Sequence, residues 1–191
     1  SMQSECDAAI EDIVNEGIIS NLNDIPVNID LHNLQYSEKI KTRIRAEFSE
    51  VLRLLSFGEK GHDIFRRWYI DGRIYYHKII DSKDPKRGLL QLRHIDATKI
   101  RKVKETQKDP DPKNHGIEMV TKVNEYFIYT DKGFASAGGQ GNDQGIKIAA
   151  DSIVYVPSGL LDHNSGRVIS YLHKAIKPVN QLRMIEDAIV I

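Results

Sequence analysis

The hydrophobic period of this chain changes twice along its length, and those changes constrain the fold more than any other feature. Up to Asp71-Gly72 the apolar residues recur at helical spacing; over residues 73–156 they come in short runs of aromatic and β-branched side chains; beyond Pro157-Ser158-Gly159 the helical spacing returns. The pattern predicts an α+β fold: amphipathic helices packed with a small, mostly antiparallel sheet, ending in a long helix that is cut short. It also predicts the division of the chain. Residues 1–2 read as a cloning remnant, 3–72 as a helical part with one short strand, 73–156 as a β-rich part and 157–191 as a second helical part.

Within that outline the elements are legible one by one. Ile10, Ile13, Val14, Gly17 and Ile18 predict a helix over 5–20, with Ser4 and Asp7 resembling a capping box. Pro26 is expected to open a short strand in which Val27, Ile29 and Leu31 alternate with polar residues. Residues 37–56 give the clearest helix, with Ser37 as N-cap and Ile40, Ile44, Phe48, Val51, Leu52 and Leu55 in one stripe. Gly58 and Gly61 are expected to break it, and 62–70 to form one more short helix. Strands are predicted over 73–81, 89–95, 100–104, 125–130 and 153–156. The Asp84-Pro85-Lys86-Arg87-Gly88 segment is a turn, and Asp109-Pro110-Asp111-Pro112 an exposed loop. After Val168, Ile169, Tyr171, Leu172 and Ile176, set at helical spacing, Pro178 is expected to kink or restart the helix. The stretch 179–191 carries no stop signal, which is expected of a helix continuing in a longer parent.

Composition narrows the classes of function. Apolar residues make up 40% of the 191 and charged residues 28%, enough to bury a core, and no apolar run approaches the ~18–20 residues that cross a bilayer. The N-terminus lacks the basic-then-apolar pattern of a secretory signal. Cys6 is the only cysteine; an internal disulfide and a thiolate zinc cage are excluded, and a reducing, cytoplasmic setting fits.

Charge is balanced, 27 basic residues against 27 acidic, but not evenly spread. Residues 1–36 carry seven acids and no Lys or Arg, whereas 73–104 carry ten bases against three acids. Either the two segments pair within one monomer, or they are unlike faces that meet between subunits. On the second reading Asp7, Glu11, Arg101, Lys102 and Lys104 are candidate subunit contacts. Basic residues interleaved with aromatics around residues 66–78 could also hold nucleic acid, with Arg66, Arg67 and Lys78 as phosphate contacts and the rings as stacking platforms. The same aromatics would equally serve a helix–strand core joint.

No constellation argues for catalysis. The seven histidines lack ligand spacing, the Gly-rich stretch 138–145 lacks the Gly-Lys-Ser/Thr of a P-loop, and Ser158 lacks the preceding glycine of a nucleophile elbow. Asp162-His163-Asn164 reads as a turn capping a following helix. The sequence predicts a protein without enzymatic activity, cofactor or small-molecule substrate.

Five segments carry a resemblance: IEDIVNE (10–16), FRRWYIDGRIYYHKIID (65–81), GLLQLRHID (88–96), IVYVPSGLLD (153–162) and IKPVNQLRMIEDA (176–188). In this order they resemble the portal (head-to-tail connector) protein of T-even-like contractile-tailed bacteriophages, over about residues 6–191. The resemblance implies a structural subunit of a twelve-membered ring at one capsid vertex, a conduit through which double-stranded DNA is packaged and ejected. Implied partners are further copies of itself, the major capsid and scaffold proteins, the terminase motor, the neck and tail proteins, and the passing DNA. Implied location is the virion, after assembly in the host bacterial cytoplasm. This chain would be mostly the wing, its last helix leading toward a stem that is missing. A nucleic-acid-binding module built on the Arg66–Tyr76 stretch is the alternative.

Overall fold

A computed structural model describes residues 4–18, 27–110, 118–134, 145–164 and 166–189. The chain is α+β, with four helices and two three-stranded sheets among these residues. It divides into two compact units, residues 1–73 with 157–191, and residues 74–156.

The first unit is helical. Helix α1 (Ser4–Gly17) buries Ile10 and Val14, one turn apart on the same face, and packs on α3 (Phe57–Asp71). Helix α2 (Glu38–Leu55) starts after Ser37, which occupies the N-cap position although its hydroxyl makes no bond to the helix. The break between α2 and α3 is a single residue, Ser56, held in the left-handed region at φ 50°. Gly58 and Gly61, expected to end the helix, lie inside α3. Gly61 is tolerated there because it is buried against the Phe57 ring, where an added Cβ would lie 3.0 Å from a ring carbon.

The expected strand at 27–31 does not form. Leu31 is buried and Asn28 and Asp30 are exposed, as the alternation requires, but the segment has no sheet partner among the described residues. Local bonds take the backbone instead: the N–H of Ile29 donates to Asn28 Oδ1 and that of His32 to Asp30 Oδ1. Pro26 and residues 19–20 of the first expected helix lie outside the described residues.

Gly72 ends α3 at φ 70°, its N–H donating to Trp68 O. An added Cβ there would lie 2.7 Å from Ile169 O, so only glycine fits. The returning chain is clasped at this point: Ser158 N–H donates to Gly72 O, the buried Ser158 hydroxyl donates to Ile169 O, and Tyr171 OH donates to Ser158 O. Leu161 bridges Val168, so residues 160–169 form a small antiparallel turn and not the start of a helix. The Asp162-His163-Asn164 turn therefore caps no helix; Asp162 Oδ1 accepts from Asn164 N–H within it. Helix α4 (His173–Ile189) begins later than the spacing suggested and runs through Pro178 without restarting.

The second unit is β-rich. One sheet has the order β2-β1-β6, the other β3-β4-β5, where β1 is Arg73–Ile80, β2 Leu89–Ile95, β3 Ile100–Pro110, β4 Glu118–Tyr129, β5 Ile146–Ala149 and β6 Ile153–Pro157. The β1–β2 pair is antiparallel, turning through a single 3-10 turn at Pro85–Arg87 with Gly88 at φ 85°. The β3–β4 ribbon extends well past the expected 104 and 125 boundaries, reaching Pro110 and Glu118. The outer β3 positions, residues 105–110, carry no apolar alternation, and cross-strand pairing sets their register. Asp109 and Pro110 thus belong to a strand; Asp111 and Pro112 lie outside the described residues, as does the Gly-rich stretch up to residue 144.

The core of this unit lies where the two sheets meet. Tyr75, Ala97, Ile100, Phe127 and Ile153 are buried together, with Ile95, Ile148 and Tyr155 packed against them. The Tyr75 and Tyr155 rings stack at 5.0 Å, and Phe127 meets each of them edge-on. Pleating explains the set: Tyr75 opposes Ile95 across the β1–β2 ladder, so both project to the same face.

Candidate interaction surfaces

The charged residues singled out by the sequence fall into four separate places. In the first unit, Asp7 and Glu11 flank the buried Ile10–Val14 row of α1 and converge on Arg66 of α3. Arg66 Nη2 lies 2.5 Å from Asp7 Oδ1, and Nε lies 2.7 Å from Glu11 Oε1. The guanidinium fork is thus filled by two carboxylates, a geometry suited to arginine. The Glu11 hydrogen bond foremost, and Asp7 in support, push the Arg66 pKa up against the opposing effect of burial. His62 joins the edge of this cluster, Nε2 3.1 Å from Asn15 Oδ1 and 3.5 Å from Glu11 Oε2.

Three residues singled out for different purposes, Asp7 and Glu11 for subunit contact and Arg66 for nucleic-acid contact, therefore meet inside one helix pair. Arg67 points elsewhere, bonding Asp63 one turn back at 2.9 Å. Lys78 belongs to the second unit, half-buried on β1 opposite Leu92. The neighbouring rings are engaged too: Tyr69 stacks on Tyr171 at 5.2 Å and Trp68 packs against the same ring at 5.4 Å.

In the second unit, Arg101, Lys102 and Lys104 are adjacent on β3 but do not share a face. Lys102 and Lys104 project to one side, where Lys102 Nζ is 2.8 Å from Glu125 Oε2 and Lys104 sits opposite Glu125 in register. The Lys102 hydrogen bond holds the Glu125 carboxyl below its ordinary pKa, with Lys104 adding to the effect. Arg101 projects to the other side, its guanidinium 4.0 Å over the Phe134 ring. Lys147 lies 3.7 Å over the Tyr126 ring, a contact the sequence did not signal.

One surface was missed. The apolar stripe of α2 is only partly covered: no residue of α2 is buried, Ile40 and Val51 are 46% and 40% exposed, and Ile44, Phe48 and Leu52 are half-buried. With Ile29 the stripe lines an open groove of about 640 Å³, edged by Lys39, Arg43 and Glu47. Helical spacing finds an amphipathic helix; it cannot say whether the partner for its apolar face lies in the same chain. Among the described residues no group of three or more His, Cys, Asp or Glu lies together as a metal-ligand set, and no helix is long and apolar enough to cross a membrane. Ser158, the one buried polar side chain of the described residues, is spent on the backbone clasp.

The ion pairs and ring contacts brace the chain's own elements, while the apolar groove along α2 lies open. The family described as Bacteriophage T4-like portal protein (Gp20) matches residues 1–191, the whole chain. A portal protein of Vibrio phage KVP40 is 37% identical over 194 residues, covering 98% of this chain. A portal protein of Salmonella phage ViI is 31% identical over 201 residues, covering all of it. The chain belongs to the T4-like portal protein family. It spans 37% and 36% of the lengths of those two relatives.

Proposed function

We propose that this chain is the wing-region part of a phage portal subunit, a structural protein whose copies form a ring at one capsid vertex. The ring would be the conduit for double-stranded DNA during packaging and ejection, and the docking point for the terminase and later for the neck and tail. The observation that carries this reading is the family match over all 191 residues, joined by two relatives that are themselves portal proteins. The chemistry is compatible with it. A conduit has to let its cargo slide, and a chain of balanced charge offers the duplex little electrostatic grip. The protein would reside in the virion, in contact with capsid and scaffold proteins, after assembly in the host cytoplasm, and would act without cofactor or substrate turnover.

Negative-stain electron microscopy of the full-length protein tests the proposal. Closed rings with a central hole wide enough for duplex DNA are the expected result. Monodisperse particles that never close, at concentrations that promote assembly, would overturn it. Tight, salt-sensitive DNA binding by dispersed particles would then move the reading to a nucleic-acid-binding module, with Arg67 and Lys78 as its first cations to test.

A further inference from the structure

Two surfaces of the helical unit complement each other and cannot be satisfied by the contacts they already have. The first is the α2 groove. Ile40, Ile44, Phe48 and Val51 form a row along the helix, and Lys39, Arg43 and Glu47 form the next row, one turn apart each. Lys39 and Arg43 have no carboxylate within ion-pair distance among the described residues, whereas Lys41 and Arg53 on the same helix are paired with Glu38 and Glu50. The groove is therefore apolar along its floor and basic along most of one edge.

The second surface is the outer side of α1. Its inner side is fixed by the buried Ile10 and Val14 and by the Asp7–Arg66–Glu11 cluster. Helical spacing places Glu5, Asp12 and Glu16 opposite that side, and all three are exposed. Beside them run Ala9 and Ile13, one turn apart, the latter 40% exposed. Glu5, Asp12 and Glu16 have no basic partner among the described residues, and α1 carries no Lys or Arg at all. So α1 presents a narrow apolar row beside an acidic row, and α2 presents a broad apolar row beside a largely basic one.

We infer that α1 of one copy seats in the α2 groove of the next copy around the ring, with Ala9 and Ile13 against the Ile40–Val51 row and Asp12 and Glu16 against Lys39 and Arg43. This rests on the portal reading above. It is a heterologous contact: each copy offers α1 to one neighbour and α2 to the other, which is what a closed ring requires. Ridge-into-groove packing of two helices accommodates it, the small Ala9 allowing close approach. Charge matching would fix which edge of the groove each row meets, and so the direction of the ring.

The test uses full-length protein with Cys6→Ala throughout. Chains carrying Ile13→Cys are co-assembled with chains carrying Val51→Cys and then oxidised. Cross-linked dimers in the mixture, absent from either variant alone, are expected. Charge exchange gives a second readout. Lys39→Glu with Arg43→Glu should raise the concentration for half-assembly about tenfold, and adding Asp12→Lys with Glu16→Lys to the same chain should recover most of that loss. Rings that form without the mixed cross-link would overturn this interface while leaving the portal reading intact. A link that forms only within a chain carrying both cysteines would overturn it as well, by showing that α1 covers its own groove. If unaltered full-length protein makes no rings, the portal reading fails first and this contact falls with it.

Discussion

Tyr75 and Phe48 each sit on the apolar face of a regular element, yet their surroundings differ sharply. Tyr75 is 2% exposed, walled by Phe127, Tyr155, Ile100 and Ile153 from strands of both sheets. Phe48 lies on a helix that buries none of its residues, beside Ile40 and Val51 that are exposed by two-fifths or more. Helix α4 repeats the pattern of the helical unit, with Ile176, Leu182 and Ile185 each more than half exposed. The β-rich unit closes an aromatic core within the chain, although Ile80, Leu90, Val123, Ile146 and Val156 stay exposed at its surface; the helical unit leaves apolar side chains of α1, α2 and α4 in water. Contiguous exposed apolar faces of this kind are characteristic of interaction surfaces.

The sharpest way to break this contrast is to cut into the closed core. Tyr75→Ala removes a buried ring that its aromatic and aliphatic neighbours cannot collapse onto, and should cost about 3–5 kcal/mol in chemical denaturation. A cost below about 1 kcal/mol would mean that the β-rich unit is no better packed than the helical one. Gly72→Ala comes next. The clasp at Gly72, Ser158 and Ile169 is where the helical unit is tight, through backbone bonds in place of a large core. A side chain there meets both a positive φ and a backbone oxygen, so a loss of roughly 2 kcal/mol or more is expected, read by the fluorescence of Trp68 as the unit's only tryptophan. Phe48→Ala should cost less, about 1–2 kcal/mol in the free chain, because the ring is only partly buried. A loss equal to that of Tyr75→Ala would show the α2 face to be covered, and the contrast would collapse.

These differences also explain what could be read from the sequence. The α+β class and most elements followed from periodicity, since each apolar stripe or alternation is local information. The long β3–β4 ribbon did not, because Glu105, Thr106 and Gln107 carry no apolar period and owe their conformation to pairing with Asn124, Val123 and Lys122. The break at Ser56 was misplaced onto Gly58 and Gly61: composition favours glycine at a helix end, whereas packing against Phe57 keeps Gly61 helical. Asp7, Glu11 and Arg66 were each picked for their charge, but their separation of 55 residues or more hid the fact that they meet. The acidic and basic segments invited pairing with one another; Asp7 and Glu11 instead find Arg66, and Lys99 and Lys102 find Asp131 and Glu125.

The smallest effect tests whether even the exposed turns of the β-rich unit are tied by charge. Between β2 and β3, Asp96 Oδ1 accepts from both the hydroxyl and the N–H of Thr98, at 2.7 and 2.8 Å. The hydroxyl bond first, then the backbone bond, hold the Asp96 pKa below its ordinary value. A depressed carboxylate pKa stabilises the fold at any pH above the unfolded value near 4, and that contribution disappears as pH falls through the folded value. Thr98→Val deletes the hydroxyl and keeps the N–H. It should lower stability at pH 7 by less than about 1 kcal/mol, since Asp96 is exposed and its interactions are screened by water. The gap between the two proteins should then narrow as the pH is lowered from 7 toward 3, once Asp96 gains its proton in both. A gap that stays constant across that range would assign the hydroxyl's effect to packing. A turn that titrates as expected would add a charge-based tie to a unit already closed by its aromatic core.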